Sequence, residues 1–187
     1  MLKKIILLFL ITHSFLFGIE ESKIKSTMQD KIGLITMILK NNSLTKKQKE
    51  IKIVQTVEEL FDYDTMAMIS LGRRWKDFKK SEQKEFTQLF KKKLQHSYFD
   101  KLDLYTDQKI VVANPEKIKA NRITLKSDII SKDETYEVDY KFYKVNAKDQ
   151  WLIYDVNLAG VSIVQSYRKQ FDEFLKTKSF DQLLQSL

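Results

Sequence analysis

The spacing of apolar residues changes period twice along this chain, and that change leaves few architectures open to it. From residue 24 to residue 94 the apolar positions recur at helical intervals. Between residues 110 and 156 they alternate one by one, and from residue 163 the helical interval returns. Helical spacing gives a side chain stripe on one face of a helix, and strict alternation gives one covered face of a strand. A chain with helices first, strands second and helices last is α+β, with helices laid on one face of an antiparallel sheet.

Within the first part, Ile24, Met28, Ile32, Ile35 and Leu39 predict a helix that Asn41-Asn42 ends. Thr45 followed by Gln48 is a capping box, opening a second helix with Ile51, Val54, Val57 and Leu60 inward. Asp64 is placed to cap a short helix through Met66 and Ile69, which Gly72 stops. Ser81 starts a long helix striped by Phe86, Leu89, Phe90 and Leu94.

Ile110 to Ala113 then reads as a short strand terminated by Asn114-Pro115. Ile123, Leu125, Ser127 and Ile129 share one face of the next strand, and Tyr136, Val138, Tyr140 and Phe142 share one face of the third. Trp151 to Val156 supplies the fourth, and Ala159-Gly160 breaks it. Short polar turns between these strands predict a four-stranded meander with one covered face. Ser162 caps a helix carrying Val164, Tyr167, Phe171 and Phe174, and Ser179 with Gln182 caps a last short one.

Lys3 and Lys4 precede the apolar run Ile5 to Ile11, and Phe15 to Gly18 close the segment. A basic head, a short apolar core and a small terminal residue predict a secretory signal peptide over 1–18, because the run is too short to span a bilayer. Residues 19–187 then form one domain, with no linker-like stretch among only 4 glycines and 1 proline. The chain has no cysteine, which excludes a lipoprotein anchor, thiol chemistry and disulfides. His96 is the one histidine outside residues 1–18 and has no catalytic partner in sequence, so a histidine-rich metal site is excluded. Lys3 and Lys4 are the only formal charges of the leader, so its removal takes the net charge from +8 to +6. Interspersed acids and the export signal weigh against nucleic acid and favour anionic membranes or acidic partners.

Several runs in order resemble the MlaC family, also called the toluene-tolerance family. They are Phe61, Asp62 and Met66, then Leu71-Gly72-Arg73 and Trp75, then Ser81-Glu82-Gln83 with Phe86 and Phe90. The C-terminal run is Trp151, Tyr154, Asp155 and Val156, then Gly160, Val161 and Ser162, then Tyr167, Arg168, Gln170 and Phe171, and the closing Leu183 to Leu187 matches too. The resemblance spans about residues 24 to 187. It implies an NTF2-like cone with an apolar cavity, and a periplasmic, non-enzymatic carrier of glycerophospholipids that maintains outer-membrane lipid asymmetry. It implies no cofactor beyond the bound phospholipid as cargo. The partners it implies are an outer-membrane lipoprotein complex and the substrate-capture subunit of an inner-membrane ABC transporter. A monomer is the expected state. The chain carries no P-loop, so any ATP hydrolysis belongs elsewhere.

On that resemblance the lipid-binding cavity is lined by Ile123, Leu125, Val138, Tyr140, Phe142, Tyr154 and Val156 from strands, and by Met66, Ile69, Phe86 and Phe90 from helices. The same eleven residues would equally build a filled core, since periodicity does not distinguish hollow from packed. Arg73, Arg74 and Arg168 are the candidate head-group cations, because a guanidinium offers phosphate a planar fork. Asp155 is best read as a hydrogen-bonding anchor for the Gly160 turn. Two alternatives stay open: a small enzyme on an NTF2 or ketosteroid-isomerase-like fold, which needs Asp139 or Asp155 turned into the cavity, and a carrier of another amphiphile such as a hopanoid.

Overall fold

The computed structural model describes residues 18–99, 107–145 and 149–187. The expected leader falls outside them except for Gly18, and so does most of the turn expected over 146–150. Four helices come first: α1 (Ile24–Lys40), α2 (Lys46–Val57), α3 (Tyr63–Leu71) and α4 (Lys80–Phe99). Six strands follow: β1 (Lys109–Val112), β2 (Glu116–Lys119), β3 (Arg122–Ile130), β4 (Thr135–Lys144), β5 (Trp151–Leu158) and β6 (Val161–Ser162). Two helices close the chain, α5 (Ile163–Phe174) and α6 (Phe180–Ser186).

The capping boxes form as their spacing predicts: Thr45 with Gln48 opens α2, and Ser179 with Gln182 opens α6. Ser162 caps α5 by accepting from the Gln165 amide. Two expectations change. Asp62, not Asp64, caps α3, its carboxylate accepting from the Thr65 amide. The inward stripe of α2 runs through Ile53, Val57 and Leu60, while Ile51 stays 47% exposed. Two isoleucines two apart cannot both face α1, and Ile53 sits a full turn from Val57.

All six strands belong to one antiparallel sheet. Its edge strand is split rather than ended at Asn114-Pro115: β1 pairs with the second half of β3 and β2 with the first half. Proline has no N–H for a ladder, so the break falls where a bond is already missing. β2 is exposed along its whole length and leaves no alternation to read. At the other side β6 adds two residues through a turn in which Ala159 (φ 50°) and Gly160 (φ 80°) both take left-handed backbone, as a two-residue hairpin turn requires. The free edge of β5 is filled in sequence by Ile19, by Phe61 and by β6, so it offers no open ladder.

The largest correction to the expected pattern lies in β5. Lys141 pairs with Asp155 but Phe142 pairs with Ile153, leaving Tyr154 as the extra residue of a β-bulge. Before the bulge, Trp151 and Ile153 join the face of Phe142. After it, Val156 joins the face of Tyr140. Tyr154 goes to the opposite face, where its ring meets Tyr143 edge-on at 5.9 Å and Arg122 lies over both rings. It therefore does not line the covered face with Val156.

Two cores result. One gathers Met66, Ala67, Leu71, Phe86, Phe90, Leu94, Val164, Tyr167, Phe171 and Leu183 from α3 to α6. The other lies between the sheet and α1, with Ile24, Met28 and Leu60 against Ile123, Leu125, Phe142, Trp151 and Ile153. Val156 packs against both.

Candidate functional site

The helix-side residues expected to line a cavity sit in closed packing. Phe86 and Phe90 have no accessible surface, and Met66 keeps 3%. The Phe86 and Phe90 rings stack at 5.6 Å, and Phe171 meets them edge-on at 5.5 and 5.7 Å. Tyr167 closes on Phe90 at 5.1 Å. Such edge-to-face and offset contacts are those of a filled aromatic core. Ile69 packs on its margin, as does Trp75, which touches Phe86 edge-on.

The sheet side differs along its length. Paired residues of neighbouring strands share a face, so the register gives successive rows: Ile123, Phe142 and Ile153; Leu125, Tyr140 and Val156; Ser127, Val138 and Leu158. Val112 of β1 continues the third row through Ser127. The first row is sealed by α1, with Ile123, Phe142 and Ile153 all at 2% or less. In the second and third rows Tyr140, Val156 and Leu158 regain surface, as do Ile129 and Tyr136 beyond them. Alongside, a cleft of about 550 Å³ opens between α1 and β1, lined by Ile32, Gly33, Ile110 and Val112 together with the polar Gln29, Thr36, Lys40, Asp107, Gln108 and Lys109.

Tyr140 is the informative residue here. Burial pushes its phenol above the ordinary 10.0, and the neighbouring Ser127 hydroxyl draws it back part of the way. The side chain nevertheless keeps accessible surface. Tyr140 thus packs at the margin of the sheet core, together with Val112 and Val156. Ser127 itself is 1% exposed, and its Oγ has no well-formed hydrogen bond, the Tyr140 contact included. Ser127 stands in the alternating apolar set of β3, and its polar hydroxyl there was the sequence signal for this spot. Ile32, Ile110 and Val112 carried no such mark.

The three arginines are brought together, on a different face. A cleft of about 520 Å³ between the end of α3 and α5 is lined by Leu71, Arg73, Arg74, Gln165, Arg168, Lys169 and Asp172. Arg74 Nε reaches Asp172 at 3.3 Å. Gly72, at φ +58°, brings its backbone so close to Arg168 that a Cβ there would lie 2.8 Å from Nε. No lining residue is shared with the α1–β1 cleft.

Asp155, 3% exposed, accepts from Ser162 Oγ (2.8 Å) and the Val164 amide (3.3 Å), and pairs with Lys141 Nζ at 3.0 Å. Its carboxylate thus ties the hairpin and the start of α5 to the sheet. On the same outer face Tyr143 donates to Asp62, and burial first, then that bond, pushes its phenol up to about 12. Asp139 pairs in register with Asn157, away from the Tyr140 face. Among the described residues no group of three metal-ligating side chains occurs, and no helix is long and apolar enough to cross a membrane.

The family model for MlaC protein matches residues 29–187. A curated relative, the intermembrane phospholipid transport system binding protein MlaC of Haemophilus influenzae, is 25% identical over 61% of the chain. The chain spans 55% of that relative's length. Among solved structures, the phospholipid-binding protein from Ralstonia solanacearum in complex with a phospholipid has the same fold, with a TM-score of 0.72 at 20% identity. That likeness covers 86% of this chain and 92% of the other.

Proposed function

The chain belongs to the MlaC family, and on that premise we propose that it carries phospholipid with the acyl chains held between α1 and the open rows of the sheet. The observation that supports the reading is the surface kept by Tyr140, Val156 and Leu158 on an otherwise sealed apolar sheet face, with the α1–β1 cleft alongside. Ser127, Val138, Leu158 and Val112 extend that surface toward the α1–β1 cleft. Phe142, Ile123 and Leu125 form its floor. Met66, Phe86 and Phe90, in the packed helical core, take no part in it.

The energetics suit a shuttle. Each buried CH2 gains about 0.8 kcal/mol relative to water, so two chains of about fifteen carbons gain on the order of 20 kcal/mol gross. A bilayer offers nearly the same, so exchange between bilayer and protein is close to neutral, whereas escape into water is not. The head group stays at the opening, in solvent. Within this reading the protein works in the periplasm, without catalysis, between an outer-membrane lipoprotein complex and the capture subunit of an inner-membrane ABC transporter.

Native mass spectrometry of the protein purified from its own host tests the reading. A stoichiometric adduct of diacyl phospholipid mass is expected, and Val112→Trp, which fills the α1–β1 cleft, should abolish it while the protein still folds. A ligand-free protein that also takes up no labelled phospholipid from vesicles would overturn the proposal.

A further inference from the structure

The arginine cleft does work that the hollow leaves unexplained. Its lining brings four cations, Arg73, Arg74, Arg168 and Lys169, against one carboxylate, Asp172. Asp172 is taken by Arg74. Among the described residues Arg73, Arg168 and Lys169 have no acidic partner. Leaving like charges together costs energy that a pairing acid would have relieved, and no further acid among the described residues supplies that pairing. The site is also shaped. Gly72 adopts a backbone conformation that side chains resist, and it lets the Arg168 guanidinium lie against the chain where any Cβ would collide.

The surroundings indicate what kind of anion fits. Met68, 43% exposed, lies on α3 one turn before Leu71, which lines the cleft. Val161, 60% exposed, lies in β6, just before the Ser162 cap of α5, whose Gln165 lines the cleft. A soluble oxyanion would use the guanidinium groups and leave both apolar side chains in water. A bilayer surface uses both kinds of group, phosphates for the cations and the headgroup–acyl boundary for the apolar side chains.

We propose that the cleft formed by Arg73, Arg74, Arg168 and Lys169 seats the protein on anionic phospholipid headgroups at a membrane surface, as a docking site separate from the cargo hollow. Docking there would let the carrier wait at the membrane with its hollow, which shares no lining residue with the cleft, free to exchange lipid. The docking site stands whether or not the hollow holds phospholipid, since it is read by vesicle binding and the hollow by uptake.

Flotation of the full chain with vesicles of phosphatidylglycerol and phosphatidylcholine, against vesicles of phosphatidylcholine alone, is the test. Binding to the anionic vesicles that falls with added salt is expected, with a loss of roughly fivefold for each arginine in Arg73→Gln and Arg168→Gln. A control pair, Lys132→Gln with Lys178→Gln, removes the same charge elsewhere and should leave most of the binding intact. Thermal unfolding of each variant shows that the fold survives, and Arg168→Lys, which keeps the charge, provides a second reading if Arg168→Gln unfolds. Equal binding to both vesicle types, or equal loss in the control pair, would overturn the proposal. So would displacement by millimolar inorganic phosphate, which would make this a site for a soluble oxyanion, or capture by an acidic protein without any vesicle binding.

Discussion

The helical core and the sheet face use the same residue types and reach opposite states. In the helical core Phe86, Phe90, Tyr167 and Phe171 close on one another at 5.1 to 5.7 Å, with almost no surface left. On the sheet, Ile123, Phe142 and Ile153 are equally sealed, but Tyr140, Val156 and Leu158 are not. The difference lies in what stands opposite. Four helices converge on the aromatic cluster, whereas α1, with Val57 and Leu60 from the end of α2 and the turn after it, packs on the sheet core around its first row. An apolar surface keeps accessible area where the elements facing it are too few to cover it.

The comparison is broken most easily by truncation. Phe90→Ala should cost about 3–5 kcal/mol in chemical denaturation, because the surrounding rings cannot collapse into the space. Val112→Ala on the open rows should cost about 1 kcal/mol while lowering lipid uptake, since its methyl groups face few partners. Similar losses for the two would mean that the sheet face is as closed as the helical core. Next in size is the joint between the regions. Asp155→Ala removes the acceptor for Ser162 and Val164 and strands Lys141, for a loss of about 2 kcal/mol. Asp155→Asn, which keeps an acceptor, should recover part of it, and a full loss in both would show that the Lys141 charge pair dominates.

Enlargement sharpens the comparison from the other direction. Ala67 is fully buried in the helical core, so Ala67→Leu forces rings apart and should cost about 1–3 kcal/mol. Val112→Phe points its extra volume into the α1–β1 cleft that it lines and should cost under about 1 kcal/mol, yet it should displace cargo. Thermal unfolding with an uptake assay separates the two effects. Equal destabilisation by both enlargements would remove the hollow.

Much of this architecture was legible because it rests on local chemistry. Both capping boxes, the Ser162 cap and the Gly72 stop follow from side chains acting within one turn, and the period change at residue 110 gave the order of layers. What was not legible depends on partners distant in sequence. The bulge that turns Tyr154 away is a property of the β4–β5 pairing, and alternation within β5 alone assigns the wrong face. β2 carries no apolar alternation because neither face is covered. The three arginines could be named from their chemistry, but their meeting depends on Gly72 lying under Arg168 across two helices. Met66 and Phe86 looked no different from Tyr140 in pattern, because periodicity reports which side is apolar and carries no information on volume.

The smallest expected effect is also the most direct report on solvent in the two regions. Tyr63 packs at the margin of the helical core, and burial pushes its phenol up to about 12, with Gln95 lowering it and Glu58 raising it. Tyr140 on the sheet is raised too, with burial as the main cause. In both cases the native state holds its proton longer than the unfolded chain, whose tyrosines ionise near 10. The stability tied to Tyr63 is therefore complete below about pH 10 and is lost as pH rises from there toward about 12. Removing cargo should not touch Tyr63, which has no share in the open rows. Tyr140, by contrast, gains water when the hollow empties, so its desolvation weakens and it should ionise closer to 10. Ultraviolet titration of tyrosinate in loaded and lipid-stripped protein, with Tyr140→Phe to assign the change, reads this directly. One transition should move to lower pH on stripping and vanish in the variant. Superimposable curves would place Tyr140 in sealed packing, and the sheet face would then be a second filled core.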